Sequence, residues 1–270
     1  MKKISYLLLL AMSMAIFTSC TSSNNSTNPI TGNQFPLSTG NYWVYDVIPF
    51  DSTGAPAQSS EYFDSTYVAS TSVENVLTMQ GVTVFNVNHI YSNSNPNTSE
   101  QYYTNSDGIY NKFNGLSGFN GNLFGINILD SLHLDWMLYI DYNNSTWTSL
   151  APQTITFNNI PLPQVGNVDL SITFTMVGTK STTKQFTIQG SNITAQGYIS
   201  TIKITGNIKV FSLAGTIIPI PESDIVTNAY YASGIGLIYS KTDNATIGLP
   251  GLYSTTILGS VKTLVRYKVQ

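Results

Sequence analysis

The sequence predicts an all-β fold: one domain built on a single, mostly antiparallel sheet, with a sandwich as the alternative. Three observations carry this. At Val168, Leu170, Ile172, Phe174 and Met176, apolar residues alternate strictly with Asp169, Ser171, Thr173 and Thr175, giving one buried face and one wet face. Runs such as Ile193–Phe211 are rich in Ile, Thr, Val and Tyr, the residues that fit a pleated surface. No segment makes a convincing amphipathic helix, although Ile128–Tyr139 has some helical spacing and could hold one turn or a short helix.

The elements follow in chain order. Lys2 and Lys3 precede an apolar run, Ile4–Phe17, and then Thr18-Ser19-Cys20, which holds the single cysteine of the chain. That order reads as a secretory signal peptide over residues 1–19. The apolar run is too short for a membrane span, which needs about 20 residues. Because the small-residue site ends on Cys20, it resembles the bacterial lipobox, in which the cysteine is lipidated and becomes the first mature residue. More than one acyl chain on Cys20 gives stable attachment where a single chain gives only marginal binding. Residues 20–34 continue as an uncharged Ser, Thr, Asn, Gly and Pro tether. As a coil it reaches about 20 Å. Thr21 and the lack of acidic residues after Cys20 resemble sorting to the outer membrane, with the domain facing the periplasm.

Residues 35–270 form the expected β domain, long enough for a real core. Asn41–Ile48 places Trp43, Tyr45 and Val47 on one face and Tyr42, Val44 and Ile48 on the other. Val82–Tyr91, Gln153–Phe157, Tyr230–Lys241 and Val261–Val269 also read as strands. Gln101–Thr104 and Ile109–Phe113 flank Asn105-Ser106-Asp107-Gly108, which predicts a hairpin. Gly197 and Gly206 mark bends or bulges inside Ile193–Phe211. No repeat of fixed period is visible.

Charged residues make up only 9% of the chain, against about 25% in typical soluble proteins. Without Lys2 and Lys3, nine basic residues face fourteen acidic ones, a formal charge of −5. This weak acidic balance, with no basic cluster, argues against nucleic acid as a partner and against electrostatic capture by anionic lipid. The longest later apolar stretch, Leu213–Ile220, is broken by Gly215 and Pro219.

The run Phe35-Pro36-Leu37-Ser38-Thr39-Gly40-Asn41-Tyr42-Trp43-Val44-Tyr45 resembles the F-P-L-x-x-G-x-x-W-x-Y opening of a loose group of Bacteroidota-type envelope lipoproteins. Trp147-Thr148 matches that group's mid-chain pair, and Tyr230-Tyr231-Ala232-Ser233-Gly234-Ile235-Gly236-Leu237 its Y-Y-A-x-G-x-G-L stretch. The group carries no established activity, so the resemblance transfers no functional residue. It implies a curved antiparallel sheet or half-open barrel, like that of periplasmic lipoprotein carriers.

The chain offers little recognisable chemistry. His89 shares a strand face with Phe85, Val87 and Tyr91 and reads as a sheet residue. His133 and Asp135 are two apart, so a strand there would place both on one face, as an oriented base requires. A chance surface pair is the commoner reading of such spacing. Gly115-Leu116-Ser117-Gly118 is a loop and not a nucleophile elbow. The turn at Asn105–Gly108 echoes a calcium loop, but Tyr103 and Asn114 stand where acidic ligands belong. Gly234-Ile235-Gly236 lacks the third glycine of a dinucleotide site. Asp51-Ser52-Thr53, Asp64-Ser65-Thr66 and Asp130-Ser131-Leu132 match a Bacteroidota O-glycosylation pattern that would modify Ser52, Ser65 and Ser131, although a Ser/Thr-rich chain gives a match or so by chance.

No catalytic, metal or cofactor residue is assigned, which leaves three function classes. The first is a non-enzymatic, membrane-anchored lipoprotein whose domain is a structural module or binds a protein or glycan. The second is a periplasmic carrier or sensor of a hydrophobic ligand such as lipid. The third is an enzyme. An apolar pocket favours the carrier, a packed core with an exposed aromatic platform favours the binding module, and acidic residues clustered with His133 in a cleft favour the enzyme. Trp43, Tyr45, Trp147, Tyr230 and Tyr231 are expected to be structural.

Overall fold

The computed structural model describes residues 33–112, 122–123, 126–127, 135–162, 165–249 and 253–270. Its main sheet holds β1 (Tyr42–Pro49), β2 (Tyr62–Val76), β3 (Met79–Tyr91), β4 (Thr98–Thr104), β5 (Gly108–Lys112) and β8 (Trp136–Asp141). It continues through β9 (Thr146–Leu162), β10 (Gly166–Ile188), β11 (Ser191–Val210), β12 (Thr216–Ala232), β13 (Gly236–Thr242) and β16 (Ser260–Lys268). Two small hairpins stand apart: β6 (Asn122–Leu123) with β7 (Ile126–Asn127), and β14 (Ala245–Leu249) with β15 (Tyr253–Ile257).

The twelve strands run in the order β8-β5-β4-β3-β2-β1-β16-β13-β12-β11-β10-β9, every pair antiparallel. The sheet curls until its two edges nearly meet, a nearly closed barrel. At that seam Trp147 of β9 donates its indole N–H to the Leu138 carbonyl of β8 at 3.2 Å. The indole lies flat on Gly178 of β10, where any Cβ would overlap the ring. The fold is therefore the curved, barrel-like sheet and not the sandwich.

The alternating stripe in β10 behaves as expected: Val168, Leu170, Ile172, Phe174 and Met176 are all buried. Trp43, Tyr45 and Val47 are buried in β1, while Tyr42 points outward. Asn105 makes the β4–β5 turn by accepting the backbone N–H groups of Asp107 and Gly108 at 2.8 and 3.1 Å, an Asx turn that fixes the hairpin. Register breaks occur opposite Gly197 and beside Gly206, where a Cβ would run into the facing backbone. The expected short helix over Ile128–Tyr139 is corrected in part. Trp136–Tyr139 belong to β8, which pairs with β5 and buries Trp136 on one face and Met137 on the other. Residues 128–134 lie outside the described residues. Among the described residues, helical structure is limited to the short 3-10 turns Gln58–Ser60 and Phe211–Leu213.

Two large apolar cores and a smaller cluster of Val76, Val84, Tyr110 and Trp136 fill the body. One lies where β9 to β12 are longest: Leu170, Ile172, Ile204, Ile208 and Ile220 pack under Ala245, Ile247 and Ile257 of the β14–β15 hairpin. The other gathers Trp43, Val68, Ile109, Ile140, Tyr198, Ile238 and Leu264 with Phe35 and Leu37 from the segment before β1. Trp43 is fully buried and donates to the Ile235 carbonyl at 2.5 Å. Gly236, at φ 106°, turns the chain tightly against Trp43 and Phe35. Gln34, placed in the tether by composition, is buried, and its Oε1 accepts the Tyr198 hydroxyl at 2.5 Å.

Candidate functional site

Between the two large cores the inner wall of the barrel lines a partly open cavity of about 240 Å³. Its wall draws Ile202 and Ile225 from the first core and Phe35, Tyr45 and Tyr231 from the second, with Met176 of β10 beside them. Six tyrosines line it: Tyr45, Tyr62, Tyr91, Tyr102, Tyr139 and Tyr231. Four charged side chains also face it, namely Asp64, His89, Glu100 and Lys262.

Sheet register brings these four together. Thr66 of β2 sits opposite His89 of β3, and His89 opposite Thr98 of β4. Asp64 and Glu100 are each two residues from those partners, so both lie diagonal to His89 on the same inward face. Asp64 accepts from His89 Nδ1 at 3.1 Å, and Thr66 Oγ1 lies 3.1 Å from the same nitrogen. On the other side of the ring, Nε2 lies 3.5 Å from Glu100 Oε2 and makes no hydrogen bond. Tyr102 donates to Glu100, and Tyr91 stacks on the imidazole at 6.2 Å between centroids.

Lys262 arrives from β16, across β1. Val47 pairs with Lys262 on one side and Tyr62 on the other, and Tyr45 pairs with Asp64. The lysine therefore reaches over the Tyr45 ring, 4.4 Å from its centroid, to donate to Asp64 at 2.6 Å. This is a cation–π contact and a charge-assisted hydrogen bond from one ammonium.

The ionisation of the cluster follows from these contacts. Burial alone would raise Asp64, but the His89 hydrogen bond and the Lys262 charge outweigh it and hold the carboxyl at about 2. Burial also works to raise Glu100, and the His89 contact and the Tyr102 hydroxyl reverse that, leaving it below the usual range. Burial pulls His89 down, yet its hydrogen bonding to Asp64 and the charge of Glu100 push it above its ordinary value. Desolvation raises the phenols of Tyr45, Tyr102 and Tyr231 well beyond 10, so they remain neutral donors. The cavity is thus faced by two carboxylates, the His89 imidazole and the Lys262 side chain, paired through one cluster. Glu100 is enclosed by protein, yet 30% of its side chain is accessible, as is 21% of Lys262, because both face the cavity.

The expected site residues fare differently. His89 is on the face that periodicity assigned to it, but as the centre of an ion cluster and not as a plain sheet residue. Asp64, Glu100 and Lys262 were not singled out by the sequence. Asp64 lies inside a glycosylation-type match, where Ser65 is half-buried on β2 and Asp64 itself is committed to His89 and Lys262. Ser52 is exposed in a turn. Cys20, Gly115–Gly118, Ser131 and His133 lie outside the described residues, and Asp135 is exposed just before β8. No metal-binding group of His, Cys, Asp and Glu is present among the described residues. Tyr45 and Tyr231 are buried as expected, but as cavity wall. Tyr230 packs on the outer face with Phe186 and Tyr239, under the ammonium of Lys184.

No protein-family model matches the chain, and no curated protein matches it. Among solved structures it is similar to a candidate lipoprotein from Parabacteroides distasonis, at 10% identity and TM-score 0.43, over 88% of this chain and 99% of that one. It is also similar to a candidate exported protein with a YmcC-like fold from Bacteroides fragilis, at 9% identity and TM-score 0.37, over 88% of this chain and 100% of that one. Neither likeness is close enough to transfer a residue or a role.

Proposed function

We propose that this chain is a lipid-anchored envelope protein, held in the outer membrane through Cys20 and facing the periplasm, whose barrel binds a small molecule in its interior. It works as a binding module and not as an enzyme. The observation that carries the reading is the cavity: natural cores are close-packed, and a barrel that leaves 240 Å³ unfilled and walls it with paired charges is built around something else. The charged groups are already paired with one another, which suits holding a ligand more than attacking one.

The carrier of an apolar chain is the weaker alternative. Seating hydrocarbon against Asp64, His89, Glu100 and Lys262 would strip them of water without offering a hydrogen bond in return.

Native mass spectrometry of the mature protein purified from its own cells tests the reading. A non-covalent small-molecule adduct is expected. It should be missing from Ser200→Leu, which fills the cavity from the wall opposite the charge cluster. Identical spectra for the two proteins would contradict the proposal.

A further inference from the structure

We infer that the cavity takes a single neutral sugar ring, an inference that rests on the cavity being a binding site. Three properties of the cavity select that chemistry.

The first is size. A cavity of about 240 Å³ has room for one ring.

The second is charge. Asp64 is paired with both His89 and Lys262, and Glu100 lies beside His89. A ligand with net charge would bury that charge uncompensated, and a purely apolar ligand would desolvate four ions. A neutral ligand rich in hydroxyls does neither. Its O–H groups donate to the accessible carboxylate of Glu100, and its oxygens accept from Lys262, both charge-assisted bonds.

The third is the wall. A sugar ring presents C–H faces as well as hydroxyl edges, and Tyr62, Tyr91 and Tyr139 in the wall combine apolar ring surface with a polar hydroxyl. Asn111 and Thr227, also in the wall, can donate or accept as the ring requires.

Calorimetric titration of the mature chain, residues 20–270, tests this, since that chain contains every described residue. The probes are D-glucose, D-galactose and N-acetyl-D-glucosamine, with L-serine, L-glutamate and octanoate as the competing chemistries. One of the sugars should bind saturably with one site per chain. Ser200→Leu should abolish the binding, and Glu100→Gln should weaken it about tenfold or more by removing a charged acceptor. Should Glu100→Gln fail to fold, Ser200→Leu alone decides, because it leaves the ion cluster intact. Binding of an amino acid or octanoate in place of the sugars overturns the sugar assignment, as does silence from every probe. A small-molecule adduct in the native mass spectrum would then leave the binding-module reading standing without it.

Discussion

At the scale of the residue, Trp43 and His89 have opposite tasks. Trp43 is a core residue: fully buried, stacked on Phe35 and hydrogen-bonded to Ile235. Trp43→Ala should cost about 3–5 kcal/mol, because it removes the aromatic surface and leaves a void. Urea unfolding measures this, and an unchanged midpoint would place Trp43 outside the core. His89 links stability to pH. Its folded pKa is raised, so its contribution is complete below the unfolded value of about 6.5 and is lost as pH rises through the folded value. Asp64 and Glu100 are depressed, so their contribution is present above unfolded values of about 4 and is lost as pH falls, for Asp64 toward about 2. The cluster therefore stabilises most between about pH 4.5 and 6.5. Unfolding free energies measured across pH should peak in that window, and His89→Gln should remove the decline on the alkaline side.

Strands make the seam and the site, and at this scale the sequence was readable in some places and silent in others. Alternation exposed β10 and β1 because their inward faces are apolar. It could not expose β2, where Asp64 and Thr66 point inward and Phe63 points out, because a ligand-lined wall inverts the usual pattern. Tyr45 and Tyr231 read as core because an aromatic that walls a cavity and one that fills a core look alike in sequence. The cluster itself depends on the registers of β2, β3, β4 and β16, and Lys262 is 198 residues from Asp64. No local spacing encodes that pairing. The seam between β8 and β9 depends on Gly178, whose missing side chain is the seat of Trp147. Gly178→Val should push the indole away, break its bond to Leu138 and cost about 1–3 kcal/mol by overpacking. Tryptophan emission should shift to the red as Trp147 becomes wetter. An unshifted spectrum with unchanged stability would mean that the seam does not rest on this contact.

For the whole molecule, the proposal is a lipid anchor at Cys20 followed by a barrel with a charged interior. Cys20→Ala should move the protein from the membrane fraction to the soluble fraction on cell fractionation, and unchanged partitioning would remove the anchor. The central claim is that β2, β3, β4 and β16 bring Asp64, His89, Glu100 and Lys262 into one ion cluster inside the barrel. The chain has only two histidines, so His133→Gln leaves a single imidazole to follow by NMR. The account predicts that His89 remains protonated above the ordinary value of about 6.5 and that Lys262→Met raises its pKa further, by removing a nearby positive charge. A His89 that titrates near 6.5, as a solvent-exposed imidazole does, and ignores Lys262→Met would contradict it.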